Sequence, residues 1–270
     1  MADERAKAAV GHGPRPGSGR LWHGTAGTSI LRGFAGSQLV ADGTPDPVAV
    51  LEGTGVTVRG LAFDGDGNAW VARADGALLR FAAGELVAGG TVAPDRVIES
   101  DDATPTDPHD LAFDAVGDLF VTCANSGRVE RFASADLEAS GDPTPTVALD
   151  LSDQAIGLAF DARGALWVAE AASDTVQRFG PEALAGGGAP PSPEATVDVW
   201  AFGIDQLETS VALDHEGALW VALDDVGWLL RYDAPSGPIQ TPVAHITTVP
   251  MDGGALAFWP VPPRLPIRAP

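Results

Sequence analysis

Apolar and polar positions alternate in short runs along most of the chain, and Gly, Asp and Pro separate the runs. One segment recurs in four copies, which begin GLAFD, DLAFD, GLAFD and SVALD at Gly60, Asp110, Gly157 and Ser210. Each copy continues through a second apolar run and a third that ends in arginine and an aromatic residue. Short β-branched and aromatic runs between turn residues are typical of strands rather than helices. The pattern therefore predicts an all-β repeat protein.

The spacing of the copies predicts the architecture. An aromatic residue in the second run stands at positions 22, 70, 120, 167 and 220, with separations of 48, 50, 47 and 53 residues. This is the length of one propeller blade. Each copy supplies four runs, which we name strands a to d, and Asp-x-x-Gly between a and b predicts a type I turn. We expect a five-bladed β-propeller with four-stranded blades.

The fifth copy is split between the two ends of the chain. Residues from Arg20 supply strands b, c and d, whereas Leu256–Phe258 supply strand a. Pairing the C-terminal strand a with the N-terminal strands would close the ring and remove exposed sheet edges. The predicted organisation is a flexible tail over 1–20, the propeller over 21–262 and a C-terminal tail over 263–270.

Two further features of the repeat are interpreted as structural. The segments between strands c and d carry a single leucine (Leu86, Leu137 and Leu184), which predicts one helical turn packed on the blade. The fifth blade has a shorter segment, so these excursions are expected to be decoration. The arginines that end strand c are expected to pack between blades and pair with carboxylates, and the aromatic residues of strand b to form the core between blades.

The charge and the cysteine count of the chain exclude several classes of binding partner and site. The chain has 16 basic and 37 acidic residues and a net charge of −21. Without clustered cations, neither nucleic acid nor an anionic membrane is an expected partner. The one cysteine, Cys123, excludes an intrachain disulfide and a cysteine-based zinc site and is expected to be buried. No signal peptide is visible, which predicts a soluble cytoplasmic protein, or a secreted one if Met1 is not the native start.

The repeat resembles the bacterial NHL and SMP-30/gluconolactonase-like propellers, in which motifs such as GLAFDARGALWVAE and ADLEASGDPTPTVAL recur. The resemblance covers residues 21 to 262. It implies the propeller fold and leaves function open, because such propellers include lactonases, lyases and plain binding domains.

Candidate site residues lie where strand a begins and strand b ends, at one mouth of the expected channel. His109 and Asp110 are the sharpest signal, because a carboxylate beside an imidazole can orient it for general-base work. The other candidate ligand-binding residues around this mouth are His23, Arg59, Arg73, Asn125, Glu170 and Asp224.

Three functions stay open. The first is a ligand- or protein-binding propeller without catalysis or cofactor, for a small molecule or protein partner. The second is a metal-dependent hydrolase or lactonase of the SMP-30 type, or a lyase. Resemblance to the SMP-30 type implies a divalent cation such as calcium on Asp110, Asn125, Glu170 and Asp224. DPHDLAF and LWVAE are also similar to virginiamycin-lyase-like propellers, which need further channel histidines. The third function is a structural or assembly domain.

Overall fold

A computed structural model describes residues 20–24, 31–35, 46–51, 58–88, 90–99, 107–151, 154–185, 192–199, 209–214, 217–223, 228–233, 237–238, 242 and 244–247. The predicted tails, apart from Arg20, and the closing strand Leu256–Phe258 lie outside these residues.

The described chain is all-β apart from short helical turns. Its strands in chain order are β1 (Arg20–Gly24), β2 (Leu31–Ala35), β3 (Ala49–Leu51), β4 (Val58–Phe63), β5 (Ala69–Arg73), β6 (Leu78–Phe81), β7 (Gly90–Val92), β8 (Arg96–Ile98), β9 (Pro108–Phe113), β10 (Leu119–Cys123), β11 (Arg128–Phe132), β12 (Thr146–Asp150), β13 (Ala155–Phe160), β14 (Leu166–Glu170), β15 (Thr175–Phe179), β16 (Ala195–Asp198), β17 (Thr209–Leu213), β18 (Leu219–Leu223), β19 (Trp228–Tyr232), β20 (Gly237–Pro238) and β21 (Ala244–Thr247).

Within the described residues these strands form five separate sheets. The first contains β1, β2 and β3 with β7 at its outer edge, the second β4, β5, β6 and β8, the third β9 to β12, the fourth β13 to β16 with β20 at its outer edge, and the fifth β17, β18, β19 and β21. Consecutive strands of each sheet pair antiparallel, in the predicted order a to d. The innermost strands meet in chain order, since β4 contacts β9, β9 contacts β13 and β13 contacts β17.

The Asp-x-x-Gly turns form as predicted between strands a and b. In the fourth sheet the Gly164 N–H donates to the Asp161 carbonyl at 3.0 Å, and Gly164 has a φ of 78°. A left-handed backbone costs glycine nothing, which explains its fixed place at the fourth turn position. The Asp161 carboxylate accepts the N–H groups of Arg163 and Ala165 at 2.8 and 2.9 Å. The aspartate therefore caps its own hairpin.

The arginines that end strand c pair with carboxylates, as expected, and lie over the strand b aromatic residue of their own sheet. Arg178 lies over the Trp167 ring with 6.0 Å from its guanidinium carbon to the ring centroid. Its Nε and Nη2 also donate to Asp161 at 2.9 and 2.7 Å. In the third sheet Arg131 lies over Phe120 and pairs with Asp118. This repeated set of contacts ties the arginine to the aromatic core rather than to a ligand.

Two buried tryptophans in equivalent places differ in one hydrogen bond. Trp70 and Trp167 are both 2% exposed. The Trp70 indole N–H donates to Asp64 at 3.0 Å, whereas the Trp167 Nε1 has no hydrogen-bond partner because Arg178 occupies Asp161. We expect Trp70→Phe to lower the free energy of unfolding by about 1–2 kcal/mol more than Trp167→Phe does, since both lose similar volume and only one loses a hydrogen bond. Urea unfolding of both variants measures the difference, and equal losses would contradict it.

The excursions between strands c and d are more than decoration, which corrects the sequence-based expectation. Their leucines are buried on short helical turns as predicted: α1 (Ala83–Ala88) and the 3₁₀ turns Ser134–Leu137 and Ala183–Ala185. The excursions of the second, third and fifth sheets then pair with the outermost strand of the preceding sheet. β7 pairs in parallel with β3, β20 pairs in parallel with β16, and Gly141 forms a parallel bridge with Ile98 of β8.

Even the short excursion of the fifth sheet makes this contact, through Gly237 and Pro238. An outer strand with unpaired N–H and C=O groups would invite association with another chain. The excursions therefore cover sheet edges. Sequence reasoning missed this role because a parallel bridge of two or three residues leaves no period in the sequence.

Candidate functional site

The predicted mouth lies where the innermost strands β4, β9 and β13 begin and their partners β5, β10 and β14 end. Each innermost strand has an irregular register at the same place. Val58 pairs with Arg73 and Gly60 with Ala72, so Arg59 is an extra residue. Ala155 pairs with Glu170 and Gly157 with Ala169, so Ile156 is extra.

The third sheet has a wider irregularity at this position. Pro108 pairs with Cys123 and Leu111 with Val121, which leaves His109 and Asp110 opposite the single residue Thr122. A β-bulge turns side chains away from the regular alternation of a strand and is frequent beside binding sites. Arg59, His109 and Ile156 thus hold equivalent bulged positions in three successive sheets, which we call the bulge row.

Asp110 joins the third sheet to the fourth. Its Oδ1 accepts the Leu111 N–H at 2.9 Å and its Oδ2 accepts the Leu158 N–H of β13 at 3.3 Å. Thr122 is fully buried, accepts the Asp110 N–H at 2.9 Å and donates to the Ile156 carbonyl at 3.0 Å. Asp110 and Thr122 therefore replace main-chain partners at the bulge and link two innermost strands.

A glycine in the second sheet makes room for this joint. A Cβ atom on Gly60 would lie 2.9 Å from the Asp110 Cα and 3.0 Å from the His109 carbonyl oxygen. Real side chains do not approach backbone atoms so closely, so β4 and β9 can adjoin only with glycine at position 60. The repeat has Gly60, Gly157 and Ser210 in the position of Asp110, so the third sheet is the one of these four that has a charged residue there.

Both arginines predicted at the mouth form ion pairs. Arg59 pairs with Asp107, which precedes β9, with 2.5 Å between Nη1 and Oδ1. Asp107 has a φ of 54°, in the left-handed region that non-glycine residues rarely adopt. Arg73 pairs with Asp75 in the adjoining turn, and its Nε donates to that carboxylate at 2.9 Å. The hydrogen bond from Arg73 lowers the pKa of Asp75 below its ordinary value.

Glu170 and Asn125 lie in different surroundings. Glu170 ends β14, is 3% exposed and accepts a hydrogen bond from the Ser173 hydroxyl at 3.2 Å. Asn125 is exposed on the 3₁₀ turn Ala124–Ser126 that follows β10. Four residues after Glu170, Asp174 is also buried and has a φ of 51°. Asp174 occupies the position that Gly127 has in the third sheet. The Asp174 carbonyl accepts the N–H of Val199, and the Gly127 carbonyl accepts the N–H of Leu151, each of which directly follows strand d of its sheet.

The predicted metal ligands are described only in part. Asp224 lies outside the described residues, and for His23, in β1, the register with Arg32 is described but not the side chain. Nowhere in the described chain do three His, Cys, Asp or Glu side chains group as a metal ion would require. Both Asp110 oxygens accept backbone N–H groups, which reduces their capacity for a cation. The described members alone do not make a metal site, and the four-ligand set stays a prediction.

Sequence reasoning missed Thr122, Asp107 and Asp174. A signal for Thr122 was present, because the matching positions of the repeat are Ala72, Ala169 and Ala222. For Asp174 the matching Gly127 could have indicated a left-handed backbone. For Asp107 the chain offered only a position before proline, which does not predict a positive φ.

Comparison with known proteins supports the fold. No family model and no curated protein sequence matches the chain. Among solved structures, the virginiamycin B lyase of Staphylococcus aureus is similar, with 13% identity, a TM-score of 0.56, and coverage of 90% of this chain and 70% of that one. A catalytically inactive form of that lyase, solved with quinupristin, gives 13% identity, a TM-score of 0.56 and coverage of 92% and 72%.

A protein of unknown function from Bacteroides caccae is similar to the same degree, with 13% identity, a TM-score of 0.58 and coverage of 88% and 80%. At such identities the similarity shows a shared β-propeller-like fold and does not extend to activity. Across the described residues, no helix is long and apolar enough to cross a membrane.

Proposed function

We propose that this chain is a closed five-bladed propeller of the NHL and SMP-30-like kind that binds a small molecule or a protein segment at the mouth, without catalysis. The observation that carries the proposal is the bulge row. Arg59, His109 and Ile156 are displaced from regular pairing at one end of three adjoining innermost strands. Arg59 and His109 are partly exposed and offer a cation and an imidazole, whereas Ile156 is buried in the core and fixes the end of β13 beside them. This arrangement suits recognition of a polar group of a ligand or protein segment.

The hydrogen bonds of the candidate acids favour binding over acid-base chemistry. Asp110 accepts two backbone N–H groups, and Arg59 and Arg73 are held by aspartates. A general base must be able to reach a substrate proton, and a carboxylate that joins two sheets is poorly placed for that. His109 is the remaining candidate base in the bulge row.

A fragment screen by protein-observed NMR tests the binding proposal. We expect the chemical-shift changes to cluster at the bulge row. The fragments should bind His109→Ala at least about tenfold more weakly than the wild type, which corresponds to the loss of one good polar contact. Arg163→Ala is the matched control, because Arg163 is exposed on an opposite-end hairpin. Fragments that cluster elsewhere, or bind His109→Ala unchanged, would contradict the proposal.

The alternative is a lyase or a metal-dependent hydrolase, and the similarity to virginiamycin B lyases motivates its test. Incubation with quinupristin, or with lactones and a divalent cation, followed by chromatography, would reveal turnover. Glu170→Gln is a better probe of metal dependence than Asp110→Ala, because removing Asp110 also breaks the joint with β13. Turnover lost in His109→Ala or Glu170→Gln would replace the binding proposal.

An assembly role is the third candidate, and light scattering tests it. The excursions that could form an outer rim already cover edges within the chain. Covering these edges explains the excursions without any contact to a second chain. A stable oligomer in solution would favour assembly instead.

A further inference from the structure

Glu130 breaks the repeat at a buried position. The residue before the strand c arginine is Leu79 in the second sheet and Leu230 in the fifth, and both are fully or almost fully buried. In the fourth sheet it is Gln177, which is neutral and only partly buried. In the third sheet this place is taken by Glu130, which is only 4% exposed. Burying a carboxylate where the other sheets have leucine or a partly exposed glutamine costs free energy, and such local exceptions often serve a purpose.

The side chain of Glu130 lies between the second and third sheets. Glu130 pairs with Val121 of β10, and paired residues point to the same face. On that face Val121 and Phe132 pack against Trp70, Leu78 and Ile98 of the second sheet. We call this contact between the second and third sheets the second joint. It is apolar apart from Glu130 and the residues named below.

One neighbour of the carboxylate is the only thiol in the chain. Cys123 lies on the same face as Glu130, and its thiol donates to the Val121 carbonyl at 3.9 Å, while the Oε2 of Glu130 has no hydrogen-bond partner in the structure. Burial raises the pKa of Glu130 above its ordinary value, and Cys123 and Arg128 only partly oppose this effect. The neutral acid is therefore favoured over the carboxylate in the packed joint.

The other charged groups at the second joint are cations that already have partners. Arg128 shares the face of Glu130 and lies 3.7 Å from Asp150. From the second sheet, Arg80 and Arg96 share the face of Trp70, where Arg80 pairs with Asp95 and Arg96 with Glu138 and the Leu137 carbonyl. No described cation is thus committed to Glu130 alone.

We propose that Glu130 and Cys123 form a pH-sensitive joint between the second and third sheets, closed when Glu130 carries a proton and loosened when the proton passes to solvent. The joint adjoins the mouth. Cys123 pairs with Pro108, the residue before His109, and leads directly into the turn that carries Asn125. Loosening the second joint would therefore release the end of β10 that supports the bulge row.

The sign of the pH dependence follows from the raised pKa. Between the pKa of the unfolded chain and that of the folded chain, the folded protein binds more protons, so stability falls as the pH rises through this window. When the pH exceeds the pKa of Glu130 in the folded protein, this contribution to stability is fully lost. When the pH lies below the pKa of Glu130 in the unfolded chain, none of it is lost. Acidification should tighten the joint.

Reaction of Cys123 with dithiodipyridine tests the proposal, because the chain has no other cysteine to react. Rates are compared at about pH 5 and about pH 9 for the wild type, Glu130→Leu and the isosteric Glu130→Gln. A negative charge on Glu130 disfavours the neighbouring thiolate and so slows the wild type relative to the variants. A faster wild-type reaction at the higher pH therefore reports loosening of the joint and not ionisation of the thiol. We expect the ratio to be at least about tenfold at the higher pH and near one at the lower pH.

Glu182→Gln is the control, since Glu182 is exposed in the excursion of the fourth sheet, away from the second joint, and its loss removes the same charge. Its rates should follow the wild type at both pH values. Glu130→Gln keeps the test valid if the leucine variant does not fold. A wild-type to variant ratio that is the same at both pH values would overturn the proposal.

Discussion

Replacing Asp161 with alanine is expected to lower the free energy of unfolding by about 3 kcal/mol, the range for breaking a buried charged network. Asp161 accepts two backbone N–H groups within its turn and two guanidinium N–H groups of Arg178. The side chains of Asp161 and Arg178 are 12% and 17% exposed. In the alanine variant the Arg178 guanidinium would still lie over Trp167, but the more exposed Glu194 would be the remaining carboxylate paired with it.

Asp114→Ala is the matched control from the third sheet. Asp114 accepts the N–H groups of Val116 and Asp118, both at 2.9 Å, but its arginine pairs with Asp118 instead. The control should cost about 1 kcal/mol, the worth of a capped turn. Asp161→Asn should fall between them, because it can keep the turn and loses the charge. Urea unfolding measures all three, and equal losses for Asp161→Ala and Asp114→Ala would show that Arg178 adds nothing.

The sequence predicts the strands and turns well because these depend on local patterning. The Asp-x-x-Gly turns, the strand order and the buried leucines of the excursions all follow from residues a few positions apart. The pairing of each arginine does not follow in this way. Arg80 pairs with Asp95, Arg131 with Asp118 and Arg178 with Asp161, although all three occupy the same repeat position.

The candidate site is predictable only as a location. Sequence spacing places Arg59, His109 and Ile156 at equivalent ends of innermost strands, where the structure finds them. It does not show that these positions are bulged, nor that Asp110 bonds to Leu158 in the next sheet. Both facts depend on how neighbouring sheets approach each other, which a single repeat cannot encode. The adjacent letters His-Asp therefore suggested a catalytic pair, whereas the Asp110 carboxylate links two sheets.

Removing the last eighteen residues tests the proposed closure of the ring. The second to fifth sheets each have an innermost strand, but the first sheet begins with β1, whose described partner is β2 alone. In our proposal Leu256–Phe258 supply the missing strand beside Leu21 and Trp22. Without it, an open edge and an apolar face between the first and last blades would meet water.

Deletion of 253–270 should therefore lower the Tm by about 10 °C, since a loss of about 3–4 kcal/mol shifts a domain of this size by that amount. The deletion should also promote aggregation through the exposed edge of β1. Deletion of 263–270 is the control and should leave the Tm unchanged, because that segment follows the proposed closing strand. Calorimetry distinguishes the outcomes. If the longer truncation melts like the full chain, the first sheet is completed by some other segment and the ring is not closed by Leu256–Phe258.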